Sequence, residues 1–231
     1  MRHYINITGN ISAGCSTLTA RLAQCCGWTA CLERDVQNPF LAGFYEAPDR
    51  WAFHNQAYFV VQSMEQHLNL LSDANLTDAV VIQDYSVYDP TEVYSRAMVE
   101  YGALRLDELH LLERLFELMK PSVRVPDLLI YLDAPIEVLW ERLNRRGRES
   151  ERSVVLGYLE ILGRHYERFI AGWGLSPVIR INTEDVDFRS DENVILCICN
   201  RIREALPSVS TNGGVFSRIV ARNNCKCTEN R

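Results

Sequence analysis

The segment Gly9-Asn10-Ile11-Ser12-Ala13-Gly14-Cys15-Ser16-Thr17 constrains the fold of this chain more than any other. It follows a strand-like stretch, His3 to Thr8, and runs into an apolar-periodic stretch, Ser16 to Cys26. A glycine-rich turn between strand and helix with this glycine spacing reads as a phosphate loop. The two glycines let the backbone curl until its N–H groups and the helix N-terminus face an anion. Ser16 is placed to ligate magnesium. Cys15 stands where such a loop carries lysine, and a thiol cannot supply the mobile positive charge that follows a phosphoryl group in transfer. Taken alone, the loop also fits a tight turn made for packing, with no ligand.

The rest of the chain alternates strand-like and helix-like stretches, the pattern of a parallel sheet flanked by helices. Expected strands are Trp28 to Glu33, Ala79 to Gln83, Leu128 to Leu132 and Val178 to Ile181, with an irregular Asn-Pro segment after the first of these. Expected helices cover Arg50 to Leu71, Thr91 to Tyr101, Leu106 to Met119, Ile136 to Arg145, Val154 to Ile170 and Glu192 to Ala205. The fold class is therefore α/β: a three-layer phosphate-loop fold with a parallel sheet of about five strands and helices on both faces. Residues 1–206 form one such domain. Residues 207–231, rich in Pro, Ser, Thr, Asn and Gly, read as a tail that is loose unless a partner holds it.

A formal charge of −6 and a pI near 5.4 argue against nucleic acid or an anionic membrane as partner, because both demand a positive surface. The start of the sequence passes directly into the first strand without a signal-like apolar core, and no run reaches membrane-spanning length, so a cytoplasmic protein is expected. The eight cysteines carry no secretory context and are expected as thiols. Cys225-Lys226-Cys227 lacks a second ligand pair at zinc-finger spacing.

Several ordered segments resemble the deoxynucleoside kinase family, especially its bacterial deoxyadenosine/deoxyguanosine branch. They are Glu33, Asn38-Pro39-Phe40-Leu41, Phe44-Tyr45-Glu46, Arg50 to Phe59, Asp84-Tyr85-Ser86-Val87-Tyr88, Pro126 to Asp133, and Arg142 through Glu151. The resemblance runs from Tyr4 to about Ala205. It implies Glu33 as the base that takes the proton of the nucleoside 5′-hydroxyl, and Gln56 as the amide that reads the nucleobase. It implies Tyr45 and Glu151 on the sugar 3′-hydroxyl, and Arg142, Arg146 and Arg148 as a lid over the phosphates of ATP. Ser16 and Asp84 would hold Mg2+.

The sequence departs from the family pattern at three cation positions. Cys15 replaces the loop lysine, Tyr85 the arginine of the acidic-Arg-Ser motif, and Ser63 an arginine of the long helix. Pro90 and Asn55 replace residues that contact the base in many members, so the preferred base is not carried over. Phosphoryl transfer is chiefly positioning and charge stabilisation, and one lost cation costs on the order of a thousandfold. The expectation is a nucleoside-binding relative with impaired transfer. The alternatives are an active kinase in which Arg34 or the lid arginines substitute, and a structural subunit of a larger assembly. Apolar faces on the long helices lead us to expect a dimer, with itself or with a charge-complete relative.

Overall fold

The structure, a computed structural model, describes residues 2–32, 38–77, 79–148, 151, 154–207 and 209; the side chain of Tyr45 is outside the description. Strands His3–Gly9 (β1), Thr29–Cys31 (β2), Val80–Asp84 (β3), Leu128–Asp133 (β4) and Val178–Asn182 (β5) form one all-parallel sheet in the order β2-β3-β1-β4-β5. The expected sheet is therefore present. Its central strands are buried along nearly their whole length, as the continuous apolar runs require when helices cover both faces.

Alternation along the strands divides the core. Ile5, Ile7, Ile82, Leu128, Ile130 and Leu132 face one layer, built from Cys15–Cys26 (α1), Ile136–Arg146 (α6) and Glu192–Ala205 (α8). Tyr131 joins the opposite layer with Pro48–Ser72 (α3), Arg96–Tyr101 (α4), Leu106–Met119 (α5) and Leu156–Gly172 (α7). The remaining helix, Leu41–Glu46 (α2), packs on α3. Helix ends follow local chemistry. Gly27 closes α1 in the left-handed region at φ 70°, and the Asp191 carboxylate accepts from the Asn193 and Val194 amides at the start of α8.

Three expectations need correction. Trp28 does not start β2; its N–H closes α1 by donating to the Ala23 carbonyl, and the strand begins at Thr29. The segment read as irregular after β2 contains α2, whose entry is shaped by the Asn38 side chain accepting the Phe40 N–H at 2.9 Å. The helix expected to start at Thr91 instead begins as a widened π-turn over Asp89–Ser95 before α4. Pro90 brings no N–H to that turn, and Asp89 is drawn into the interior by several donors.

Cys15, Cys25, Cys26, Cys31 and Cys199 are in no disulfide, as expected, whereas Cys197 is disulfide-bonded. Among the described residues, no helix is long and apolar enough to cross a membrane, and no cluster of three or more His, Cys, Asp or Glu side chains could hold a metal.

Candidate active site

The register of the sheet assembles the site at the carboxyl ends of its central strands, where parallel α/β sheets bind ligands. Gly9 pairs with Leu132 and Ile7 with Asp84, so the loop leaving β1 and the acidic end of β3 emerge side by side. The loop then curls. Ala13 donates its N–H to the Asn10 carbonyl at 3.0 Å, Ser12 and Gly14 have φ of 68° and 105°, and the Asn10 side chain anchors the turn to α7 by donating to the Leu159 carbonyl at 2.8 Å. Gly9 can be nothing larger: an added Cβ would sit 2.6 Å from the Leu132 carbonyl oxygen. At Gly14 the Phe188 ring would lie 3.1 Å from such a carbon, so the loop after β5 supports the loop after β1.

A cavity of 910 Å³ opens here, within the range of small-molecule sites. The whole of Gly9–Thr17 lines it, together with Gln56, Asp84, Arg146, Arg148 and Glu151. Ser16, in the first turn of α1, and Asp84 thus share one cavity, and their hard oxygen donors suit Mg2+. The arginines expected in a lid meet the carboxylate expected on the sugar: Arg146 donates to Glu151 in bidentate fashion at 2.9 and 2.6 Å, and the Arg148 guanidinium lies 3.8 Å from the same carboxylate. Bidentate pairing of this kind is among the stronger polar contacts, so a phosphate arriving at these arginines competes with Glu151.

Arg142 is not among the lining residues. Its guanidinium donates to the Thr183 hydroxyl at 3.0 Å and to the carbonyls of Thr183 and Glu184, tying α6 to the loop after β5, and burial lowers its pKa. Glu33 and Arg34 lie outside the described residues, as does the side chain of Tyr45.

The three substituted cation positions differ in their surroundings. Cys15 lines the cavity at the loop. Tyr85 also lines it, in the left-handed region at φ 56°, with its ring edge-on to Phe59 at 6.4 Å and to Tyr94 at 5.7 Å between centroids. A bulky residue held there carries a backbone cost of roughly 1–3 kcal/mol, offset by the aromatic contacts. Ser63 is buried in α3, donates to the Val60 carbonyl at 3.0 Å, and is not a lining residue.

Two charged lining residues escaped the sequence reading. Asp89 is fully buried and accepts from the Thr8 hydroxyl, from the Ser86 N–H and hydroxyl at 2.9 and 2.8 Å, and from the Tyr166 hydroxyl at 3.1 Å. Burial raises its pKa despite those four donors. Arg189 is exposed in the loop after β5, and, behind the Ser190 hydrogen bond, its charge helps to hold the Asp187 carboxyl below its ordinary pKa. Its place one residue after Phe188, beyond the carboxyl end of a parallel strand, was the available signal.

A curled, glycine-constrained loop between a central parallel strand and its helix, facing a cavity with carboxylates and arginines, defines a phosphate-loop protein of the kinase type. The chain belongs to the deoxynucleoside kinase family, whose model matches residues 5–207. It is 32% identical over 204 residues to a deoxyadenosine/deoxycytidine kinase of Bacillus subtilis, covering 87% of this chain and 92% of that one. A deoxyadenosine kinase of Dictyostelium discoideum is 31% identical, covering 80% of this chain and 74% of its own. In fold, the chain resembles a deoxyadenosine kinase from M. mycoides with bound dATP, with a TM-score of 0.74 at 19% identity, covering 87% of this chain and 99% of that one.

Proposed function

We propose that the protein binds a deoxynucleoside in this cavity and that its phosphoryl transfer from ATP is strongly impaired. One observation carries the reading: Cys15 and Tyr85 both line the cavity at cation positions, while Gln56, Asp84 and Glu151 line the same cavity as a nucleoside site requires. In this reading Glu33 takes the 5′-hydroxyl proton, Gln56 reads the base, and Tyr45 and Glu151 hold the sugar. Ser16 and Asp84 hold Mg2+, which offsets phosphate charge when bound. What the chain lacks is a cation at the loop to follow the γ-phosphoryl as its bond breaks, so bound nucleotide turns over little.

Family membership and the names of its relatives support a cytoplasmic role in nucleotide salvage. We further propose that the protein acts as a dimer, with itself or with a charge-complete relative, and serves as a nucleoside sensor or supporting subunit.

The test is transfer from labelled ATP with Mg2+ to each of the four deoxynucleosides. Wild type is expected to be near background, and Cys15→Lys with Tyr85→Arg to raise turnover by two orders of magnitude or more, on the order of what restored active-site cations contribute. Wild-type turnover at ordinary kinase rates overturns the impaired reading. It favours an active salvage kinase in which Arg189, an exposed arginine lining the cavity, replaces the missing charge.

A further inference from the structure

Asn55 precedes the base-reading amide Gln56 on α3; both side chains are almost wholly buried, at 3% and 2% exposure, and both line the cavity. The orientation of Asn55 is fixed by a relay. The Phe40 N–H, 2.9 Å from the Asn38 side chain, can only be met by the amide oxygen, so the Asn38 nitrogen must point the other way. That nitrogen donates to Oδ1 of Asn55 at 2.7 Å. The Oδ1 of Asn55 is thereby turned toward Asn38, and its Nδ2 is left with no acceptor among the described residues in a side chain that lines the cavity. Asn55 thus presents its Nδ2 as a donor to a ligand in the cavity, its Oδ1 being turned toward Asn38. Gln56 differs: its Oε1 has only a long contact to the Ser95 hydroxyl, at 3.4 Å, and the amide can still both donate and accept.

This division of labour discriminates between bases. A single amide reads one donor and one adjacent acceptor of a Watson–Crick edge. Cytosine offers its amino group and N3 for this and leaves O2, an acceptor. Thymine offers N3–H with either carbonyl and leaves the other carbonyl, again an acceptor. Adenine offers its amino group and N1 and leaves only C2–H; guanine offers O6 and N1–H and leaves the 2-amino group, a donor. On the Watson–Crick edge, whichever way round it lies, a pyrimidine leaves an acceptor for Asn55 and a purine leaves none.

We propose that Asn55, oriented by Asn38, makes this a pyrimidine-selective deoxynucleoside site. The proposal rests on the nucleoside-binding reading above and specifies its substrate class. Calorimetric titration of the full-length protein with deoxycytidine, thymidine, deoxyadenosine and deoxyguanosine tests it, together with Asn55→Asp, which keeps the acceptor for Asn38 and turns the ligand-facing donor into an acceptor. Wild type should bind both pyrimidines at least about tenfold more tightly than either purine, the size of one buried polar group left unmet. In Asn55→Asp that preference should vanish, with deoxyguanosine gaining on the pyrimidines because its 2-amino group then meets an acceptor. Purine binding as tight as pyrimidine binding in wild type overturns the proposal without need of a variant, as does an unchanged preference in folded Asn55→Asp. Binding with no pyrimidine preference removes this inference alone; no binding of any nucleoside removes the nucleoside site itself.

Discussion

His67 shows how a single buried group sets a pH limit on stability. Its Nε2 accepts the Arg124 N–H at 2.9 Å, and burial, aided by the Arg124 charge, lowers its pKa from 6.5 to about 4. The folded state therefore resists protonation that the unfolded state accepts. The stability due to neutral His67 is fully present above pH 6.5 and is lost as pH falls toward 4, at up to about 1.4 kcal/mol per pH unit. Urea unfolding at pH 7 and pH 5 should show this loss, and His67→Gln, which retains an acceptor for Arg124, should flatten it; equal slopes in the two proteins would contradict the assignment. Asp89 works with the opposite sign. Its raised pKa makes its contribution complete below pH 3.8, the ordinary carboxylate value, and lost as pH rises through the folded value.

Between elements, the closest constraint is the crossing of the phosphate loop over β4. Gly9→Ala would drive a carbon against the Leu132 carbonyl, which is backbone and cannot rotate away, so β1 and β4 must separate locally. A destabilisation of about 1–3 kcal/mol in thermal or denaturant unfolding is expected, as for other overpacked sites; a neutral effect would mean that the loop is looser than its geometry shows. The sequence made this region legible because the two glycines, the preceding strand and the following helix all point to one structure. It made α3 legible for the same kind of reason, through the recurrence of Phe53, Ala57, Val60, Met64 and Leu68 at helical spacing. It failed at Asp89–Ser95, because the widened turn is held by partners distant in sequence: Thr8 and Tyr166, both on other elements, bind the Asp89 carboxylate. The arginines divided along the same line. The expectation of a lid comes from the resemblance of Arg142 through Glu151 to the family, whereas the hold of Arg142 on Thr183 and the presence of Arg189 in the cavity depend on where β5 ends.

At the scale of the whole molecule, apolar surface remains uncovered on two adjacent helices. Val61, Leu68 and Leu71 of α3 and Leu111, Leu115 and Leu118 of α5 are all exposed, Leu118 at 73%. Leu111, Leu115 and Leu118 recur at helical spacing and so form a stripe along α5. Surfaces of this kind mark association sites, and we expect sedimentation to find a dimer at micromolar concentration. Leu115→Glu with Leu118→Glu should yield monomers with the fold intact, and a wild-type monomer would remove the dimer.

The strand order has a further bearing on how the chain reaches this state during synthesis. β1 is made first yet lies in the middle of the sheet, flanked by β3 and β4, neither of which follows it directly in the chain. Until Leu128–Asp133 has left the ribosome, one side of β1 presents an open row of backbone donors and acceptors. Phe188, which props Gly14, arrives later still, after β5. A ribosome stalled short of residue 128 would therefore hold a strand open on one side, and the phosphate loop gains its Phe188 support only after β5 has been made.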